Sequence, residues 1–170
     1  MTVQTSYSAA PAKALSGQLA DSAPHTIVSM VNEEASAEMR FGVAVAQGSA
    51  DDGALLPDEA SDEIVGIVVH SHAYHKTQEL GSTGLKPGVV MDVLRKGRIW
   101  VTCRSGCTKG DRLYVRQDIT GGGTEFEGAP EDAADTDNID CTNQGRWMTT
   151  ASAGELALLE VDFTASPTVA

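Results

Sequence analysis

Apolar residues in this chain recur at every second position over short runs, and no stretch carries the spacing of a long amphipathic helix. Met39, Phe41, Val43 and Val45 alternate cleanly and predict a strand over Met39 to Ala46. His25 to Val31 is a second, shorter β-rich run, and the polar Asn32 to Glu38 between them reads as a turn or short helix. Glu63 to Tyr74 opens with Ile64-Val65-Gly66-Ile67-Val68-Val69, apolar on both faces as a central strand is. Gln47 to Asp62 holds Gly48, Gly53 and Pro57 and reads as an exposed loop.

The run from Pro87 to Arg116 predicts a β-meander with one basic face. Pro87-Gly88 turns into a strand over Val89 to Leu94, and Arg95-Lys96-Gly97 reads as a tight connection with Gly97 free to take positive φ. The next strand puts Ile99, Val101 and Cys103 on one face and Arg98, Trp100, Thr102 and Arg104 on the other. Lys109-Gly110-Asp111 turns again before Leu113-Tyr114-Val115. Arg146 to Thr150 and Glu155 to Phe163 supply the last strands, with Ala157, Leu159, Val161 and Phe163 sharing a face. About eight or nine short strands and no long helix predict an all-β fold, a small β-sandwich or β-barrel.

The ends and one internal segment break this pattern. Residues 1–24 are rich in Ser, Ala, Gln and Pro and predict an extended arm that orders against a partner, with room for an Ala-rich helical turn near Ala12 to Leu19. Residues 120–145 begin with three consecutive glycines and continue acidic, the signature of a long mobile loop. The organisation expected is therefore an arm over 1–24, an all-β domain over 25–163 and a polar tail over 164–170.

Composition supports one thin core. The chain has 170 residues, 41% hydrophobic but 5% aromatic. No run reaches the roughly 18 apolar residues of a membrane helix, and the start lacks a secretory pattern, so synthesis in a host cytoplasm is expected. Net charge is −12, which argues against nucleic acid as the main partner. Yet Lys86, Arg95, Lys96, Arg98, Arg104, Lys109, Arg112 and Arg116 cluster in one stretch, opposed by Asp92 and Asp111. Asp51 to Glu63 and Glu125 to Asp140 are purely acidic. Solvated faces of different sign explain this distribution, and so does a basic β-surface docking on an acidic partner.

Chemical readings find little support. There is no phosphate-binding loop, dinucleotide fingerprint or nucleophile elbow. Cys103, Cys107 and Cys141 are odd in number, with no Cys-x-x-Cys spacing, and read as small buried residues. On a strand, His70 and His72 share a face and could share zinc or nickel if His75 or a cysteine gave a third ligand; no carboxylate or Cys-x-x-Cys spacing supports that, so a polar strand end whose imidazoles cap loop carbonyls is the expected reading. Asp135 to Asp140 fails the calcium-loop pattern, since Ile139 takes the fifth position and Asp140 the glycine position. No metal or cofactor is expected. Trp100 and Trp147 each suit a core or an interface, and alternation turns Trp100 away from the Ile99 face.

Taken in order, several segments resemble the phage structural cement proteins, which decorate capsids. They are Gly17 to Asp21, Phe41-Gly42-Val43-Ala44-Val45, the Ile/Val-rich strand with Gly66 and its His-rich end, and Gly88 to Val93. Gly97-Arg98-Ile99-Trp100-Val101, Lys109 to Val115 and Ala153 to Ala157 follow, so the likeness runs from about Ser16 to Phe163. The resemblance implies a non-enzymatic protein on the outer surface of a phage head, bound to the major capsid protein and self-associating as a trimer or dimer at local symmetry axes. It implies no catalytic residues, no direct nucleic acid contact and no membrane. Arg98, Trp100, Arg104 and Arg112 on the basic face are the expected capsid-binding residues. A head-tail connector or tail protein, a metal-dependent barrel enzyme and a sugar-binding head fibre base are the alternatives.

Overall fold

The computed structural model describes residues 13–35, 38–74, 76, 78–117 and 127–164. Among these the chain forms eleven strands: β1 Gln18–Leu19, β2 Thr26–Asn32, β3 Ala44–Gln47, β4 Gly53–Leu55, β5 Ile64–Val68, β6 Val90–Thr102, β7 Tyr114–Arg116, β8 Pro130–Glu131, β9 Asn138–Asp140, β10 Gly145–Trp147 and β11 Leu156–Asp162. Strands β2, β4, β3, β5 and β6 close on themselves, because β6 pairs with both β2 and β5. The all-β expectation is met by a five-stranded barrel with strands added to it.

The 13-residue β6 organises everything else. Its first half lies between β2, through pairs such as Met30↔Met91, and β5, through Ile67↔Leu94 and Val68↔Val93. Its second half lies between β11, from Leu156↔Thr102 to Asp162↔Lys96, and β1, through Gln18↔Trp100 and Leu19↔Ile99. Arg95-Lys96-Gly97 is therefore not the predicted tight connection; the strand runs through it. Thr26 faces Lys96 but Ile27 faces Leu94, so Arg95 is an extra residue on β6. Such a bulge exchanges the faces of everything beyond it. Met91 and Val93 sit in one core before the bulge, and their face continues outward as Arg98 and Trp100. Gly97 takes φ 140° there, and a Cβ on it would lie 2.9 Å from the His25 Cβ.

Two cores result. Met30, Met39, Val43, Val45, Val65, Val68, Leu85, Met91 and Val93 form one. Trp147, Leu159, Val161, Ile99, Val101, Leu113 and the three cysteines are in the other. β5 is buried along its whole length because Ile64 and Ile67 enter one core and Val65 and Val68 the other. Gly66 lets β6 approach it, since a Cβ would lie 2.5 Å from a Val93 methyl.

Several expectations are corrected. β7 pairs with β8 and β9 in a separate three-stranded sheet, so no meander forms between β6 and β7. The expected exposed loop over Gln47 to Asp62 contains β4, whose Ala54 is fully buried. Residues 1–12 of the expected arm lie outside the described residues, but 13–24 include β1, fastened by the Gly17 and Ala20 N–H groups to the Trp100 and Arg98 carbonyls at 2.7 and 3.0 Å. The Ala-rich helical turn is not formed within Lys13 to Leu19.

The acidic excursion over 120–145 is likewise folded where it is described, from Glu127 onward; residues 118–126 lie outside. Arg116 of β7 gathers it. Its Nε donates to Glu131 Oε1 at 3.1 Å, and its Nη1 lies 3.9 and 3.7 Å from the carboxylates of Asp135 and Asp137. Asn138 donates to the same Glu131 carboxylate at 2.9 Å, and the Trp147 indole N–H donates to the Glu131 carbonyl at 3.2 Å. Glu131 is buried with these partners around it, as a buried charge requires.

Candidate docking face

Beyond the bulge, β1, β6, β11 and β10 lie side by side and present one outward face. On β6, Arg98, Trp100 and Thr102 are half-buried while Ile99 and Val101 are fully buried. On β11, Leu156, Leu158, Glu160 and Asp162 point outward while Ala157, Leu159 and Val161 are buried. Pairing aligns these residues into rows. Leu158 lies opposite Trp100, and Trp100 opposite Gln18. The Met148 N–H donates to the Leu158 carbonyl at 2.8 Å, which adds Met148 to that row. The row Met148, Leu158, Trp100 is apolar and half-buried, with Leu156 and Thr102 paired beside it.

The neighbouring row is ionic. Arg146 faces Glu160 across β10 and β11, and Glu160 faces Arg98 across β11 and β6. Arg146 Nη2 lies 2.8 Å from Glu160 Oε2, and Arg98 Nη2 3.0 Å from Glu160 Oε1. Asp21 adds a looser contact to Arg98 at 3.6 Å. One step further, Lys96 Nζ lies 2.6 Å from Asp162. Hydrogen bonds from Arg146 and Arg98 hold the Glu160 carboxyl below the usual range. The Lys96 ammonium and the Thr164 hydroxyl bring Asp162 down to about 2. Opposite charges directly across strands are the sheet's own stabilising pairs.

The four residues expected to bind a capsid thus have different surroundings. Arg98 and Trp100 share the outward face, but Arg98 is already neutralised by Glu160 and Asp21. Arg104 follows the end of β6 and is half-buried. Arg112 is exposed ahead of β7 in an isolated antiparallel bridge with Arg146, and its Nη1 donates to the Thr142 carbonyl at 3.3 Å. It joins Arg98, Arg146 and Glu160 of the ionic row in lining a groove of about 460 Å³. Of the eight clustered cations, Lys96, Arg98 and Arg116 have carboxylate partners within the fold, so the stretch is not a bare basic face. Sequence reasoning missed Leu158 and Met148; Leu156 and Leu158 alternating with a buried set in β11 carried the signal.

The remaining candidates resolve as follows. His70 and His72 lie beyond the end of β5, not in a strand. Their rings are 5.2 Å apart, and His70 packs on Phe41, which stacks on Tyr74. Burial and then the neighbouring His72 push the His70 pKa down. His75 lies outside the described residues. No group of three or more potential metal ligands is present among the described residues. Cys103, Cys107 and Cys141 are free and buried. Burial raises all three thiol pKa values, that of Cys141 to about 12, which keeps them protonated and unreactive.

A family model described as structural cement protein (E217 gp24/Pam3 gp6) matches residues 3–162. The chain belongs to this family. The cement protein is also similar in fold to a chain from the capsid of Myoviridae phage XM1, with TM-score 0.69 and 16% identity over 95% of this chain and 98% of that one. A further comparison, with the head fiber gp8.5 N base of bacteriophage phi29, gives TM-score 0.40 and 15% identity over 82% of this chain and 96% of that one. No curated protein matches the chain. Membership makes this a structural protein of the phage particle, associated with the capsid.

Proposed function

We propose that this cement protein attaches to the outer surface of the phage head through the outward face of β1, β6, β11 and β10, and bridges neighbouring major capsid protein subunits. The observation that carries this reading is the apolar row Met148, Leu158, Trp100 beside an ionic row whose charges are matched within the fold. A central aromatic and aliphatic strip with a polar border is the composition of an interface hot spot. Charges that already have partners add orientation and little long-range attraction, so attachment depends weakly on salt. The stabilising action comes from many modest contacts repeated over the shell, all of which must fail together for release.

The protein acts without catalysis, cofactor or metal. Its net charge of −12 disfavours direct nucleic acid contact, and its buried, protonated thiols supply no nucleophile. The test is binding of Trp100→Ala and Leu158→Ser variants to undecorated heads, with circular dichroism to confirm folding. Each is expected to dissociate at least about tenfold faster, with association little changed. Wild-type occupancy and wild-type dissociation by both folded variants would move the docking surface elsewhere.

A further inference from the structure

The groove along the ionic edge of the docking face leaves one cation unmatched among the described residues. Lys96, Arg98, Arg112 and Arg146 line it against two lining carboxylates, Glu160 and Asp162. Lys96 pairs with Asp162, Arg146 with Glu160, and Arg98 with Glu160 and Asp21. Arg112 is exposed, donates to one backbone carbonyl, and makes no ion pair among the described residues. A chain of net charge −12 thus carries a groove in which Arg112 is the one lining cation without a carboxylate partner among the described residues.

The complementary charge is on the same chain. The turn between β4 and β5 is fastened from within: Asp62 Oδ2 accepts the N–H groups of Asp58 and Glu59 at 2.9 and 3.0 Å. That leaves Asp58, Glu59 and Glu63 exposed, none in an ion pair among the described residues. A turn ordered before contact loses little freedom on binding. We propose that the groove of one copy receives the 58–63 turn of a second copy, with Arg112 taking the carboxylates at the tip. Groove and turn are different surfaces, so the contact either closes a ring of copies or occurs twice in a reciprocal pair. This goes beyond attachment to the shell and does not rest on it.

The general repulsion between two copies of net charge −12 makes charge exchange the informative test. Sedimentation velocity of the full chain over a concentration series should show self-association. Arg112→Glu and Asp58→Lys/Glu59→Lys should each weaken it by about tenfold or more, and their combination should restore it. Circular dichroism checks that each variant is folded. A wild type that stays monomeric throughout overturns the proposal, as does Arg112→Glu associating like wild type or a combined variant no tighter than either parent. Binding to undecorated heads is measured in parallel. Loss of head binding by Arg112→Glu with self-association unchanged would assign the groove to the shell and equally overturn the proposal.

Discussion

The two acidic stretches of this cement protein are both rich in carboxylates, yet their acidic side chains are held differently. In the second, Glu131, Asp135 and Asp137 fold around Arg116, and the segment becomes a small sheet against the core. In the first, Asp58, Glu59 and Glu63 stay exposed, while Asp62 turns inward to bind the backbone of its own turn. Both stretches contribute strands, β4 in the first and β8 and β9 in the second, but among the described residues the second alone has a cation, Arg116, at its carboxylates. A carboxylate-rich turn is solvated by default, and one guanidinium placed by tertiary structure is enough to draw its acidic side chains into the fold.

The sharpest way to break that contrast is to remove the cation. Arg116→Ala leaves Glu131 buried without its charge partner and is expected to cost about 3–5 kcal/mol, a loss that chemical denaturation would read directly. Neutralising the exposed turn by Asp58→Asn/Glu59→Gln should change stability by no more than about 0.5 kcal/mol in the same assay. Equal effects of the two changes would dissolve the distinction.

A smaller effect extends the comparison to other carboxylates. Glu38 accepts from the Thr83 hydroxyl at 2.6 Å and from the Thr83, Ser82 and Gly84 N–H groups. Those bonds, the Thr83 hydroxyl first, hold its pKa at about 2. Asp162 is held at about 2 as well, and Glu160 and Glu33 are lowered. Folded-state values below the unfolded value of about 4 mean that these groups stabilise the protein above that pH. Their contribution fades as pH falls toward 2. The melting temperature should therefore decline across that window, and Glu38→Gln should lower it at neutral pH while making the decline shallower. A variant with an unchanged pH profile would show that the Glu38 bonds contribute nothing in solution.

The legibility of the sequence follows the same division between local and distant causes. β5 and β11 were readable because an apolar run buried on both faces and a strict alternation are properties of the segment itself. The bulge in β6 was not. Two basic residues followed by glycine give the same local signal for a hairpin turn and for an extra residue in a continuous strand. The choice is made by β2 and β11, which carry the ladder across from either side. The two- and three-residue β1 and β4 are too short to show a period. The ordering of residues 127–145 depended on Arg116, fifteen positions before Glu131. On the docking face, Arg98 and Trp100 were visible as an outward pair, but the Glu160 that neutralises Arg98 lies sixty-two residues away. Charge clustering along a chain therefore overstates the basic surface that the fold presents.

The outward row itself can be read chemically. Hydroxyl-radical footprinting of the free protein and of decorated heads compares labelling at Met148 and Trp100, both half-buried on the outward face, with labelling at Leu55 of β4 and at the exposed Val90 at the opposite end of β6. Attachment through this face predicts that Met148 and Trp100 lose labelling together on the head while Leu55 and Val90 keep theirs. Unchanged labelling at Met148 and Trp100, with protection appearing at Leu55 and Val90, would contradict it.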